Sequence, residues 1–187
     1  MSDDEDAPRR PVSIVVAVAA VVAVVGGLVL VLATREPAAN RIADSPLVGR
    51  PAPAIVGTTL DGGRFDLAEE SGRWVLVNFF AQWCGPCQQE HDDLVAFDDR
   101  HRSIGDAGVV SVVFDDDVDD VRAFFEENGG SFPVITSDEG DIALDYGVAK
   151  VPESYLVAPD GTVVAKIIGG VTEAGLEDLL DRFAGTG

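Results

Sequence analysis

Two cysteines stand three positions apart in Trp83-Cys84-Gly85-Pro86-Cys87, and they are the only two in this chain of 187 residues. Thiols at this spacing can close a disulfide and reopen it with little backbone movement, so the pattern points first to reversible dithiol chemistry. The preceding run, Trp74-Val75-Leu76-Val77-Asn78-Phe79-Phe80, is short and rich in β-branched and aromatic residues, as in a buried central strand. A polar helical segment follows. Pro86 is tolerated at its start, because the first helical turn has no internal acceptor for the amide hydrogen that proline lacks. Cys84 is therefore expected at a helix N-terminus, where unpaired amide hydrogens and the positive end of the peptide dipoles lower a thiol pKa that is otherwise about 8.5. That makes Cys84 the expected nucleophile. Cys87, one turn further and directed more toward the protein, is the expected resolving thiol.

Three blander readings compete: a purely structural disulfide, half of a metal site, and two unrelated core thiols. A bridge that closes so small a loop constrains little of the unfolded chain. A zinc site usually takes four ligands, and the chain has no second cysteine pair. Adding His91 to the cysteines gives three ligands at best, and His101 lies further along, so no metal is expected. Trp83 and Phe80 are expected to pack around the motif rather than take part in chemistry.

The elements that must position the cysteines can be read coarsely. Ala54 to Thr59 and Arg64 to Leu67 flank the turn signal Asp61-Gly62-Gly63, which suggests a β-hairpin before the central strand. The cysteine helix runs to about Arg102, and Val109 to Phe114 reads as a second buried strand. A helix from about Val118 to Asn128 carries Val121, Phe124 and Phe125 on one face and ends at Gly129-Gly130. A short strand near Phe132 to Ile135 leads to a helix around Asp138 to Tyr146. Strands Ser154 to Ala158 and Thr162 to Ile168 are joined by Pro159-Asp160-Gly161, and Thr172 caps a last helix to about Phe183. Strands alternating with helices and closing in a hairpin give an α/β fold, a mixed sheet with helices on both faces.

Residues 12–32 contain no charged side chain and only Ser13 as a polar one, long enough to cross a hydrocarbon core as a helix. A cleavable signal peptide is the alternative, but its apolar core is typically about 7 to 15 residues, so a retained transmembrane anchor is preferred. Arg9 and Arg10 on one side are balanced by Arg35 and Arg41 on the other, so charge says little about orientation. A short tail and a large C-terminal domain place the tail in the cytoplasm and the domain outside, where disulfide chemistry is needed. The chain is thus divided into an acidic tail (1–11), an anchor (12–32), a linker (33–46) and one domain (47–187). With 33 acidic and 13 basic residues the net charge is −20, which argues strongly against nucleic-acid binding. The doublets Asp92-Asp93 and Asp98-Asp99 read as a solvated helix face.

With the order β, Cys-Gly-Pro-Cys helix, β, α, β-hairpin, α, the chain resembles the thioredoxin superfamily over about Val48 to Phe183. It is similar in particular to the membrane-anchored, extracytoplasmic TlpA-like branch that includes the thiol-disulfide reductases of cytochrome c maturation. Three features carry the likeness: the N-terminal hairpin, Gln88-Gln89-Glu90-His91 after the motif, and Tyr146-Gly147-Val148-Ala149-Lys150-Val151-Pro152-Glu153-Ser154, where Ser154 replaces that branch's threonine. The resemblance implies that Pro152 is a cis-proline facing the cysteines and that Val151 offers backbone groups to an extended substrate. Trp83, Gly85 and Pro86 would form the rest of the substrate surface. It also implies that Glu90 and Glu153 lie near the cysteines and relay protons; for each, the plain alternative is an exposed glutamate. Thioredoxins usually carry a buried aspartate six positions before the first cysteine, and Asn78 stands there instead, which leaves Glu90 to take that proton. No cofactor beyond the Cys84–Cys87 disulfide is implied. The expected partners are a disulfide-containing envelope protein such as apocytochrome c and a membrane electron donor. The Gly-Pro pair resembles the reducing thioredoxin type, at about −270 mV. A copper or zinc carrier and a thiol peroxidase of related fold are the alternatives, although the peroxidase pattern Thr-x-x-Cys is absent.

Overall fold

The computed structural model describes residues 12–33, 41–136 and 140–185, and within the first helix the side chains of 16–28. The chain divides into two units, Met1–Pro37 and Ala38–Gly187. In the first, α1 (Val12–Ala33) is built of valine, alanine, leucine and glycine apart from Ser13 and Ile14, with no charge in its first or last turn. Among the described residues, no helix is long and apolar enough to cross a membrane. The expected acidic tail, the ends of the expected anchor and residues 34–40 of the expected linker lie outside the fully described residues.

The second unit is a six-stranded mixed sheet in the order β1-β8-β7-β4-β5-β6, with a separate two-stranded hairpin. Its strands are β1 (Arg41–Ala43), β4 (Trp74–Phe80), β5 (Ala107–Val113), β6 (Val134–Ile135), β7 (Glu153–Val157) and β8 (Val163–Ile168), and the hairpin pairs β2 (Val56–Thr58) with β3 (Arg64–Asp66). The central place of β4 follows from its composition. Six of its seven residues are buried, as both faces must be when helices cover a sheet on each side. β4 runs parallel to β5 and antiparallel to β7.

Two successive parallel crossovers, β4–α2–β5 and β5–α3–β6, progress in the same direction across the sheet. Connections of this kind share one hand, so α2 (Gly85–Ile104) and α3 (Val118–Asn128) lie on the same face. There α5 (Glu173–Ala184), capped by Thr172, joins them over a core that includes Leu76, Phe80, Leu94, Phe97, Val121 and Leu176. The opposite face packs Val77, Phe79, Tyr155 and the hairpin's Phe65 with α4 (Asp141–Tyr146), where Phe79 meets both tyrosine rings at centroid distances of 5.4 and 6.1 Å.

Two expectations need correction. Part of the supposed linker is an edge strand: β1 pairs antiparallel with β8 through Arg41↔Ile168 and Ala43↔Lys166. Three residues carry too little periodicity to be read as a strand, and only the partner edge makes them one. The second concerns Asp98, which is not on a solvated face. It is buried, its Oδ1 accepts the Val109 amide at 2.9 Å, and Arg102 pairs with its Oδ2, while the adjacent Asp99 is exposed. Asp98 thus ties α2 to β5. We expect Asp98→Ala to lower unfolding free energy by about 1–3 kcal/mol in denaturant titration, because it strands a buried amide, and Asp99→Ala to change it by less than about 0.5 kcal/mol.

Candidate active site

The site begins where β4 ends. Cys84 has extended backbone angles (φ −84°, ψ 103°) and caps α2, its Sγ accepting the Cys87 amide at 3.2 Å, with Pro86 in the first turn. The helix terminus has amide hydrogens with no helical acceptor, and here one of them is turned onto sulfur. A sulfur anion at this position is therefore stabilised by a direct donor as well as by the aligned peptide dipoles. Cys84 and Cys87 are joined in a disulfide with a Cα separation of 5.2 Å. Cys87 is fully buried and Cys84 nearly so, while Gly85 and Pro86 are exposed around them.

The Trp83 ring, next in sequence to Cys84, is 57% exposed, with its indole N–H donating to the Asp115 carbonyl at 3.0 Å. Asp115 is the one described non-glycine residue with positive φ, at 46°, in a conformation that aspartate tolerates better than most residues. Phe80, by contrast, is buried as expected, against Phe124 and Phe125.

The Val151–Pro152 bond is cis. Pro152 is buried and its carbonyl accepts the Gly169 amide at 3.0 Å. Val151 is half-buried and forms no backbone hydrogen bond among the described residues.

Glu90 and Glu153 are both buried, which sets aside the exposed-glutamate alternative. They lie on opposite faces of the sheet. Glu153 is paired across the ladder with Phe79 and so faces the α4 side, whereas Glu90 projects from α2 onto the other face. Glu90 Oε1 accepts from Asn78 Nδ2 at 2.9 Å, and Oε2 accepts from the Val171 amide at 2.8 Å. Burial drives its pKa up to about 7 against the downward pull of these two hydrogen bonds, with Asp93 adding a smaller upward push. Glu153 Oε2 lies 2.8 Å from Lys166 Nζ. For Lys166 burial acts to lower the pKa, but the hydrogen bonds and charges of Glu153 and Tyr155 outweigh it and hold the ammonium above the ordinary lysine value.

Sequence reading missed Lys166 as a partner of Glu153, and Ser111 and Val171 as parts of the Glu90 surroundings. A lysine within the apolar β8 and a serine within the valines of β5 were the signals available; neither names its partner without the strand register. The histidines are taken up elsewhere. His91 Nε2 donates to the Gly129 carbonyl at 2.9 Å with its ring against Phe124 and Phe125, and burial lowers its pKa. His101 lies between Asp106 and Glu177. Among the described residues, no three His, Cys, Asp or Glu side chains gather as a metal site.

The Redoxin family model matches residues 47–180. The chain belongs to the Redoxin family. It is 34% identical over 138 residues to the thiol-disulfide oxidoreductase ResA of Bacillus anthracis, covering 73% of this chain and 78% of that protein. It is 33% identical over 146 residues to the thiol:disulfide interchange protein HelX of Rhodobacter capsulatus, covering 75% and 79%. Among solved structures, a thioredoxin-family thiol:disulfide interchange protein from Chlorobium tepidum superposes with a TM-score of 0.66 at 26% identity, covering 75% of this chain and 98% of that one. The thioredoxin-like fold expected from the motif is thereby borne out.

A carboxyl whose folded pKa is about 7, against about 4.5 unfolded, holds its proton more tightly in the folded protein. Its contribution to stability is full below about pH 4.5 and is lost as pH rises through 7, when the buried group must ionise. We therefore expect the wild type to lose up to about 3 kcal/mol of stability relative to Glu90→Gln between about pH 5 and pH 8. Equal pH dependence of the two proteins in denaturant titration would contradict this.

Proposed function

We propose that this thiol-disulfide oxidoreductase works in the reducing direction on disulfides of envelope proteins, apocytochrome c among them, from an extracytoplasmic position. The observation that carries the chemistry is the disulfide at the mouth of α2, with the Cys87 amide aimed at Cys84 Sγ. In the reduced protein the Cys84 thiolate attacks a substrate disulfide. A Cys84–substrate bond forms, and the first substrate sulfur leaves as a thiolate. Cys87 then gives its proton to the Glu90 carboxylate and attacks Cys84 Sγ, so the second substrate sulfur leaves. Two electrons pass to the substrate, and the Cys84–Cys87 disulfide results.

Val151, whose backbone groups are unpaired among the described residues, next to cis-Pro152 supports pairing with an extended substrate segment, with Trp83, Gly85 and Pro86 as the exposed ground around it. Glu153, held by Lys166 on the far face, is proposed as the second carboxyl of the site. The names of the ResA and HelX relatives support the enzyme class, and Gly-Pro between the cysteines supports reduction. Regeneration requires a dithiol donor on the same side, proposed as a membrane protein. The run 12–32, uncharged throughout, supports an N-terminal anchor with the tail 1–11 in the cytoplasm.

The order of attack is checked by trapping in native membranes. Cys87→Ala is expected to accumulate a mixed disulfide through Cys84 that dithiothreitol releases, and Cys84→Ser to trap nothing and reduce insulin at no more than background rate. Recovery of the adduct through Cys87 in the Cys84→Ser protein would reverse the assignment.

A further inference from the structure

A row of three polar side chains crosses the middle of an otherwise apolar sheet. The register sets Asn78 of β4 directly beside Ser111 of β5 on one side and Ser154 of β7 on the other, and each of the three is 1% exposed or less. Directly opposed residues share a face, so the row lies under α2. Asn78 Nδ2 donates to Glu90 Oε1 at 2.9 Å and to Ser154 Oγ at 3.1 Å, and its Oδ1 accepts from Ser111 Oγ at 3.2 Å.

A side-chain amide has two N–H donors and one acceptor oxygen, and here every part is engaged. Rotating the amide by half a turn would set its oxygen against the Glu90 carboxylate and its donors against Ser111, so the orientation is fixed. An apolar row would carry no buried polar groups to satisfy, so stability alone does not explain the row. What the row delivers is one directed N–H onto Glu90. The second Glu90 oxygen is held by the Val171 amide, where Gly170 follows the chain close over the carboxylate.

We propose that Asn78 is a positioning residue for thiol-disulfide exchange: clamped by Ser111 and Ser154, its amide fixes the Glu90 carboxyl, on the buried face of α2 shared with Cys87, in the orientation that takes up the Cys87 proton. This rests on the reading of Glu90 as proton acceptor given above. Cys87 and Asp93 are the titratable neighbours of Glu90 on its own helix. From the sheet it meets the neutral Asn78, and from the segment before α5 a backbone amide, so among the described residues no cation competes with the Asn78 donor.

The test is the pH dependence of the resolving step in the full-length reduced protein, read as release of the second chromophore from a chromogenic aromatic disulfide. In the wild type the rate is expected to rise along a limb centred near 7, where Glu90 ionises. Asn78→Leu removes the donor and is expected to move that limb up by about one unit, giving roughly tenfold slower resolution at about pH 6.5 and a near wild-type rate at about pH 9. Asn78→Asp, close in shape and suited to the same pocket should the leucine variant not fold, sets a second carboxyl against Glu90 and is expected to replace the single limb by two steps. Loss of stability alone would not move the limb. A limb that disappears in Glu90→Gln but stays at its wild-type position in both Asn78 variants overturns the Asn78 assignment alone, whereas a limb that survives Glu90→Gln overturns the Glu90 reading as well.

Discussion

The Cys87 amide, its nitrogen 3.2 Å from Cys84 Sγ, makes the contact on which the site depends. It exists because an unbroken apolar strand ends where a helix begins, and the first turn of a helix has donors that its own backbone cannot satisfy. Most helices meet that demand with a serine, threonine or aspartate cap. Here a sulfur does so, and the group that completes the helix is also the proposed nucleophile. The placement is rigid because β4 is held on both sides, by β5 and β7, and α2 is tied down along its length by Asp98 to β5 and by Glu90 to Val171.

The sheet separates two buried charge arrangements with different physics. On the α4 face, Glu153 has a full counter-ion in Lys166, whose ammonium is held charged by its partners and lies 5.2 Å over the Tyr155 ring. On the α2 face, Glu90 has only neutral donors among the described residues, one side-chain amide and one backbone amide, and burial outweighs them. A carboxyl held by dipoles alone and buried can exchange a proton near neutrality. Two glutamates that look alike in the sequence are therefore suited to different tasks, and it is the unpaired one that shares its helix face with Cys87.

Around this core the molecule is strongly acidic, and part of that charge is structural. Asp116 caps the Gln82 amide, the Asp115 carbonyl holds the Trp83 indole, and Asp117 caps α3. The acidic loop after β5 therefore fixes the ground beside the disulfide as well as keeping the domain solvated. The exposed Trp83 ring stands at the edge of that loop, an apolar surface beside the reactive pair.

How much of this was legible without coordinates differs from residue to residue. The cysteine pair, its place at the start of a helix, the central strand, the hairpin turn and the span of α3 could be read directly, because each is set by neighbours within a few positions: alternation, capping residues, glycine and proline. The resemblance to thioredoxins also marked Asn78 as standing where they carry an acid. It did not show what Asn78 touches. Ser111 lies 33 positions away and Ser154 76, and only the register of β4 between β5 and β7 brings them together. The edge strand β1, the burial of Asp98, the Lys166 partner of Glu153 and the outward stance of Trp83 share that cause. Local chemistry determined where the two thiols stand and how their helix begins; long-range strand pairing decided which carboxyl is brought to titrate near neutrality on their helix, because burial and hydrogen-bond partners are properties of the packed chain and not of any short stretch of it.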